Sequence, residues 1–120
     1  MVFYFICRAA KLNRSAGVRL CILPCMAAYL IVDLTITDPA AWESYKAAVP
    51  AVIHKHGGEY LIRGGALQVL EGKWEPKRVV VLRFPDGEAL DAFWNDADYQ
   101  PLKELRHRVA HSNIVRVEGV

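Results

Sequence analysis

The residues of this chain predict an α+β domain of the ferredoxin-like kind, βαββαβ, with an antiparallel sheet and two helices on one face. Three observations lead there. Runs of β-branched residues alternate with runs whose apolar residues recur every three or four positions. An Asp stands where each helical run begins. The runs follow the order strand, helix, strand, strand, helix, strand. A length of 120 residues suits one compact domain rather than two. With 53% hydrophobic and 23% charged residues the chain has a globular composition, which excludes a disordered or fibrous one.

Residues 27–36 read as the first strand, with Leu30, Val32, Leu34 and Ile36 on one face and Tyr29, Ile31, Asp33 and Thr35 on the other. Asp38-Pro39 starts a helix, as N-cap and first helical residue. Trp42, Tyr45, Val49 and Ile53 form its buried stripe, and Pro50 is expected to kink or split it. Gly57-Gly58 offers the left-handed cap that ends it. A second strand region spans residues 59–71, where Gly64-Gly65 makes either a hairpin turn or a bulge in one long strand. Residues 72–77 are a polar loop carrying Trp74, and residues 78–84 (Arg-Val-Val-Val-Leu-Arg-Phe) are a strand. Asp86 caps the second helix, with Leu90, Phe93 and Trp94 inward. Asn95 to Asp98 interrupts it, and it restarts with Asp98 as cap and Leu102, Leu105 and Val109 inward. Residues 114–118 make the last strand.

Residues 1–25 are a different kind of sequence. They hold Arg8, Lys11, Arg14 and Arg19 with no acid, and all three cysteines, Cys7, Cys21 and Cys25. The remainder is net acidic and opens at Met26 on a clean strand pattern. The expectation is that residues 1–25 form a poorly ordered leader or an over-long start, and that the domain spans 26–120. A secretory signal has its basic residues first, and here Val2 to Ile6 precede them. Three cysteines close no disulfide framework, so a reduced, cytoplasmic setting fits best. The Cys21–Cys25 spacing alone is a weak zinc signal, and no metal or cofactor is expected.

Net charge is +2, too little to advertise a nucleic-acid partner. No apolar run approaches the roughly 20 residues that cross a bilayer, so no membrane partner is expected. The strands themselves point to a partner of another kind. Helices on one face leave the other sheet face to solvent, where polar residues belong. Yet Tyr29 and Ile31 share that face with Val79 and Val81 of the neighbouring strand. The patch reaches a few hundred Å², about the upper limit for a monomer. A homodimer packed sheet to sheet is the simplest way to bury it. Asp33, Arg83 and Arg116 are expected on the same face, as a cross-strand ion pair or as a polar spot for an anion.

Candidate chemistry is sparse. His54 and His56 diverge on a helix and cannot share a metal, and His107 and His111 lack a carboxylate at matching spacing. His56, beside two glycines, either caps the helix end or serves as a general base. Arg63 precedes the double glycine and either pairs with Glu71 or grips a carboxylate or enolate. Trp74 either folds back over the sheet edge or closes a pocket on a flat ligand. Tyr99, Lys103 and Arg106 share one helix face, with Trp94 ahead of them, and form a solvated face or line the mouth of a cleft. No nucleophile–base pair, phosphate loop or haem attachment motif is visible.

Several motifs resemble a known family. They are Ala27-Ala28-Tyr29-Leu30-Ile31-Val32 with Thr37-Asp38-Pro39, His56-Gly57-Gly58, Tyr60 to Gly65, Val69-Leu70-Glu71-Gly72 with Trp74, Val80 to Pro85, and Tyr99-Gln100-Pro101-Leu102-Lys103. In this order they resemble the DUF1330 family, small bacterial proteins of the dimeric α/β-barrel superfamily. The resemblance covers residues 26–120 and implies a ferredoxin-like subunit and a homodimer, but no reaction. The expected function is therefore the binding or handling of a small organic molecule in the cleft between sheet and helices. Arg63, Trp74, Trp94, Tyr99 and Arg106 are the candidate ligand-binding residues. The alternative is a cofactor-independent isomerase or monooxygenase-like enzyme acting on an enolisable or aromatic substrate, with His56 as base and Arg63 stabilising the anion.

Overall fold

The computed structural model describes residues 26–120. The readings made for residues 1–25, including the cysteine pair, lie outside the described residues. Four strands, β1 (Ala28–Ile36), β2 (Glu59–Arg63), β3 (Arg78–Phe84) and β4 (Ala110–Glu118), form one antiparallel sheet in the order β2-β3-β1-β4. Three helices, α1 (Pro39–Lys55), α2 (Gly87–Trp94) and α3 (Gln100–Val109), cover one face. The fold is α+β and ferredoxin-like, with the expected second helix divided in two. Among the described residues no helix is long and apolar enough to cross a membrane.

Alternation decides which face is core. Leu30, Val32 and Leu34 of β1 and Val80, Leu82 and Phe84 of β3 are buried against the Trp42, Tyr45, Val49 and Ile53 stripe of α1 and against Leu90 and Phe93 of α2. Helix starts follow the expected chemistry at Asp38, which accepts from the Ala41 N–H at 3.2 Å, and at Asp86, which accepts from the Ala89 N–H at 2.9 Å. At the end of α1, Gly57 takes a φ of 77°, and the N–H groups of Gly57 and Gly58 donate to the carbonyls of His54 and Ile53. This is the Schellman arrangement, which ends the helix and turns the chain into β2.

Three expectations are corrected. Pro50 neither splits nor ends α1, which runs unbroken from Pro39 to Lys55. The ring removes one backbone bond, and the buried stripe on both sides of it holds the helix together. The second strand region stops at Arg63, after a bulge at Leu61. Residues 65–70 pair with nothing, and the apolar Leu67, Val69 and Leu70 stay exposed. Asp98 caps nothing. Instead its N–H donates to Asp96 Oδ1 at 2.7 Å, and Asp96 organises the turn between α2 and α3.

Candidate functional site

A cavity of ≈ 50 Å³ lies between the inner sheet face and the helices, above the roughly 10–15 Å³ that one water requires. Its walls are apolar side chains of β1 and β3 with Trp42, Phe93 and Trp94. Its polar members are three tyrosines (Tyr45, Tyr60, Tyr99) and four cations (Lys46, Arg63, Arg78, Arg106), with no carboxylate and no histidine among them. The cations come from separate elements. Lys46 and Arg63 are exposed and Arg78 is half-buried, so the cavity opens between α1 and the β2–β3 edge.

Each side chain is aimed by local structure. Alternation on β2 turns Tyr60 and Arg63 inward, opposite Leu82 and Val80, because the bulge between Tyr60 and Ile62 keeps both on the core face. Arg63 stacks its guanidinium over the Tyr60 ring, 4.3 Å from the centroid, and does not reach Glu71. Tyr99, at the start of α3, packs against Phe93 at 4.4 Å and Trp94 at 5.8 Å between ring centroids. Arg106, one turn before the end of α3, is only 3% exposed. Its Nη1 donates to Ser112 Oγ at 2.6 Å and its Nη2 to the Tyr99 hydroxyl at 3.4 Å, while Nε has no partner. Burial, reinforced by the neighbouring Tyr99, pushes the Tyr45 hydroxyl far above the ordinary phenol range, and burial raises Tyr60 as well. Both stay neutral and able to donate.

Arg106 also borders a second, open groove of ≈ 340 Å³ formed with Trp94, His107, His111 and Ser112. Trp94 and Ile114 line both spaces, so the buried guanidinium stands between them.

Arg63, Trp94, Tyr99 and Arg106 are thus brought together, as the sequence suggests for a cleft. His56 and Trp74 are not. The His56 ring meets the Asp96 carboxylate, Nε2 to Oδ2 at 2.6 Å, and faces Phe93 edge-on, outside the residues that line the cavity. A pairing of His56 as base with Arg63 in one cavity is therefore not formed. Trp74 crosses to the opposite face of the sheet, where its Nε1 donates to Asp33 Oδ2 at 2.8 Å. The polar spot expected there is also not formed. Arg83 pairs with Glu59, and Arg116 lies opposite Leu30 on the helix face, bonded to Asp91. Sequence reasoning missed Lys46, Arg78, Tyr45 and Tyr60. Only the strand alternation of Arg78 and Tyr60, read with the bulge in place, marks them as inward. Among the described residues no group of three or more His, Cys, Asp or Glu is arranged to hold a metal.

The described fold resembles several solved structures. RPA0582 of Rhodopseudomonas palustris, a protein of unknown function, superposes with a TM-score of 0.66 at 15% identity, over 94% of this chain and 93% of that one. SnoaB, a cofactor-independent oxygenase from Streptomyces nogalater, gives 0.54 at 15% identity, over 77% and 91%. A conserved protein of unknown function from Bacteroides thetaiotaomicron gives 0.53 at 13% identity, over 78% and 97%. At such identities the likeness carries the fold alone. A search among curated proteins found no match. The family model "Domain of unknown function (DUF1330)" matches residues 27–120. With that span matched, the chain belongs to the DUF1330 family.

Proposed function

We propose that the protein binds or handles a small, flat organic molecule in the sheet–helix cavity, as a homodimer joined through the outer sheet face. The observation that carries this reading is the cavity itself. A core packed only for stability would close over its apolar walls and would not bring four cations and three tyrosines to one space. At ≈ 50 Å³ the cavity takes the polar head of a ligand, and the adjoining ≈ 340 Å³ groove beside Trp94 and Arg106 takes a planar body.

A thermal-shift screen against small aromatic and keto compounds tests it. Compounds that bind should quench tryptophan fluorescence in Trp74→Phe, because Trp42 and Trp94 remain by the cavity, and should bind more weakly to Trp94→Ala. Ligands whose affinity depends on Trp74 and not on Trp94 would overturn it. The second reading, cofactor-independent catalysis, draws on the likeness to SnoaB. Since no lining residue is a histidine or carboxylate, catalysis here would work by stabilising a substrate anion with Arg106 and Arg63, not by a base from the cavity wall. Conversion of a bound hit, lost in Arg63→Gln, would favour it over binding alone.

A further inference from the structure

We infer that the cavity is a receptor for an organic anion, a carboxylate or enolate on a planar body, and that the buried Arg106 is its principal anchor. The inference rests on the small-molecule reading above and names the ligand class.

The distribution of counter-charge is what points there. The ion pairs among the described residues all lie away from the cavity: Arg83 with Glu59, Arg116 with Asp91, and Lys55 with Asp96 and Asp98. Lys73, Lys77 and Arg108 meet no acid among the described residues but are exposed to water. Lys46, Arg63, Arg78 and Arg106 line the cavity without one acid, and no ion pair among the described residues involves any of the four. For exposed Lys46 and Arg63 water solves the problem. For Arg106, 3% exposed, it does not. A guanidinium carries its charge at every accessible pH, and burial without a counter-ion is costly. Its two partners, Ser112 and Tyr99, are neutral hydroxyls, the second at the long end of hydrogen-bond range, and its Nε–H donates to nothing. Arg78 repeats the pattern. Its Nε is buried and unpaired, and its side chain's only hydrogen bond among the described residues is a long one of 3.5 Å from Nη2 to the Arg63 carbonyl.

Tyr45 and Tyr60 do not supply the missing charge, since burial keeps their hydroxyls protonated. A ligand carboxylate would. It gives Arg106 the acceptor and the negative charge that its surroundings lack, and the tyrosine hydroxyls can donate to its remaining lone pairs. The ≈ 50 Å³ cavity admits the carboxylate end, and the open groove on the other side of Arg106, walled by Trp94, His107 and His111, holds the planar body. An isolated inorganic anion would meet the charge and leave the aromatic wall unused.

Matched pairs decide it: benzoate with benzamide, cinnamate with cinnamamide, and phenylpyruvate with phenylpyruvamide, titrated by calorimetry into the full chain. The acids should bind about tenfold or more tightly than their amides, and Arg106→Gln should erase that preference. Arg63→Gln, which leaves the buried part of the site intact, should reduce it by a smaller factor. This variant keeps the test open if Arg106→Gln does not fold. Arg83→Gln, outside the cavity, should not change it. Amides binding as well as acids would overturn the anion inference and leave the small-molecule reading standing. Neither series binding at millimolar concentration would overturn both. Inorganic phosphate or chloride competing as strongly as cinnamate would overturn the planar-body half of the inference.

Discussion

Gly64, the first residue after β2, holds a φ of 73°, and a Cβ there would run into the guanidinium of Arg78. Its N–H also donates to the Val79 carbonyl at 2.9 Å, so the residue both ends the β2–β3 pairing and makes room for a cavity cation. Gly65 has no positive φ and open space around its Cβ direction. Gly64→Ala should therefore cost about 1–3 kcal/mol of stability, while Gly65→Ala should be neutral within about 0.5 kcal/mol. Urea unfolding of the two variants measures the contrast. In the sequence the two glycines look equivalent, and a hairpin or a bulge fits either. What separates them is the position of an arginine fourteen residues later, which no local pattern contains. Arg106 is the converse case. Its helical face was readable from its spacing to Tyr99 and Lys103, whereas its burial without a carboxylate became visible only when α3 met β4.

At the scale of elements, the end of α1 is tied to the turn between α2 and α3 by one carboxylate. Asp96, with its side chain 8% exposed, receives Lys55 Nζ at 2.8 Å and His56 Nε2 at 2.6 Å and accepts the Asp98 N–H. The bonds from Lys55, then His56, then Asp98 hold its carboxyl well below the ordinary carboxylate range. Above the unfolded value near ~4 the carboxylate is ionised in both states, and the tie stabilises the fold in full. As pH falls below that, the unfolded chain takes up the proton first, and the contribution drains away until the folded carboxyl protonates too. Asp96→Asn should lower Tm at neutral pH and flatten its decline between about pH 5 and pH 2, as read by circular dichroism melts. Because His56 points to this tie and not to the cavity, His56→Gln should weaken the fold while leaving ligand affinity within about twofold. Other element-level failures have the same origin. Residues 66–71 have strand-like composition, yet β3 offers them no partner once Gly64 has turned the chain.

For the molecule as a whole, the outer sheet face carries an apolar row that bears on stability. Register sets Ile62, Val81, Ile31 and Val115 in one row across all four strands, with Tyr29 and Val117 beside it. Ile62, Val115 and Val117 remain 47%, 55% and 45% exposed, an apolar row that a second copy would cover. If two copies close over it, as proposed, the protein should sediment near twice the 13.5 kDa of the chain. Val115→Lys, at an exposed position, should leave the fold intact and raise the dimer dissociation constant about tenfold or more. Sedimentation equilibrium on both proteins checks this, and a wild-type monomer at micromolar concentration would remove the dimer from the proposed function. Asp33 enters this face bonded to Trp74, so any second copy must also accommodate the loop that carries that ring.

Alternation within strands, capping residues before helices and paired glycines after them are local signals. They specify the element order, the inner and outer faces of β1 and β3 and the ferredoxin-like arrangement, because each rests on residues within a turn or a strand of one another. The face of Arg116 on β4, by contrast, follows only from its register with β1. The cavity is of another kind. Its cations come from α1, β2, β3 and α3, its tyrosines from three segments, and its lack of acid is a property of the space and of no single stretch of chain. Whether Asp96 hydrogen-bonds His56 or pairs with a ligand-binding arginine, and whether Trp74 lies over the cavity or behind the sheet, depends on how segments forty residues apart are brought together. Long-range packing decides that, since a side chain's charge partner is chosen by distance in space and not along the sequence.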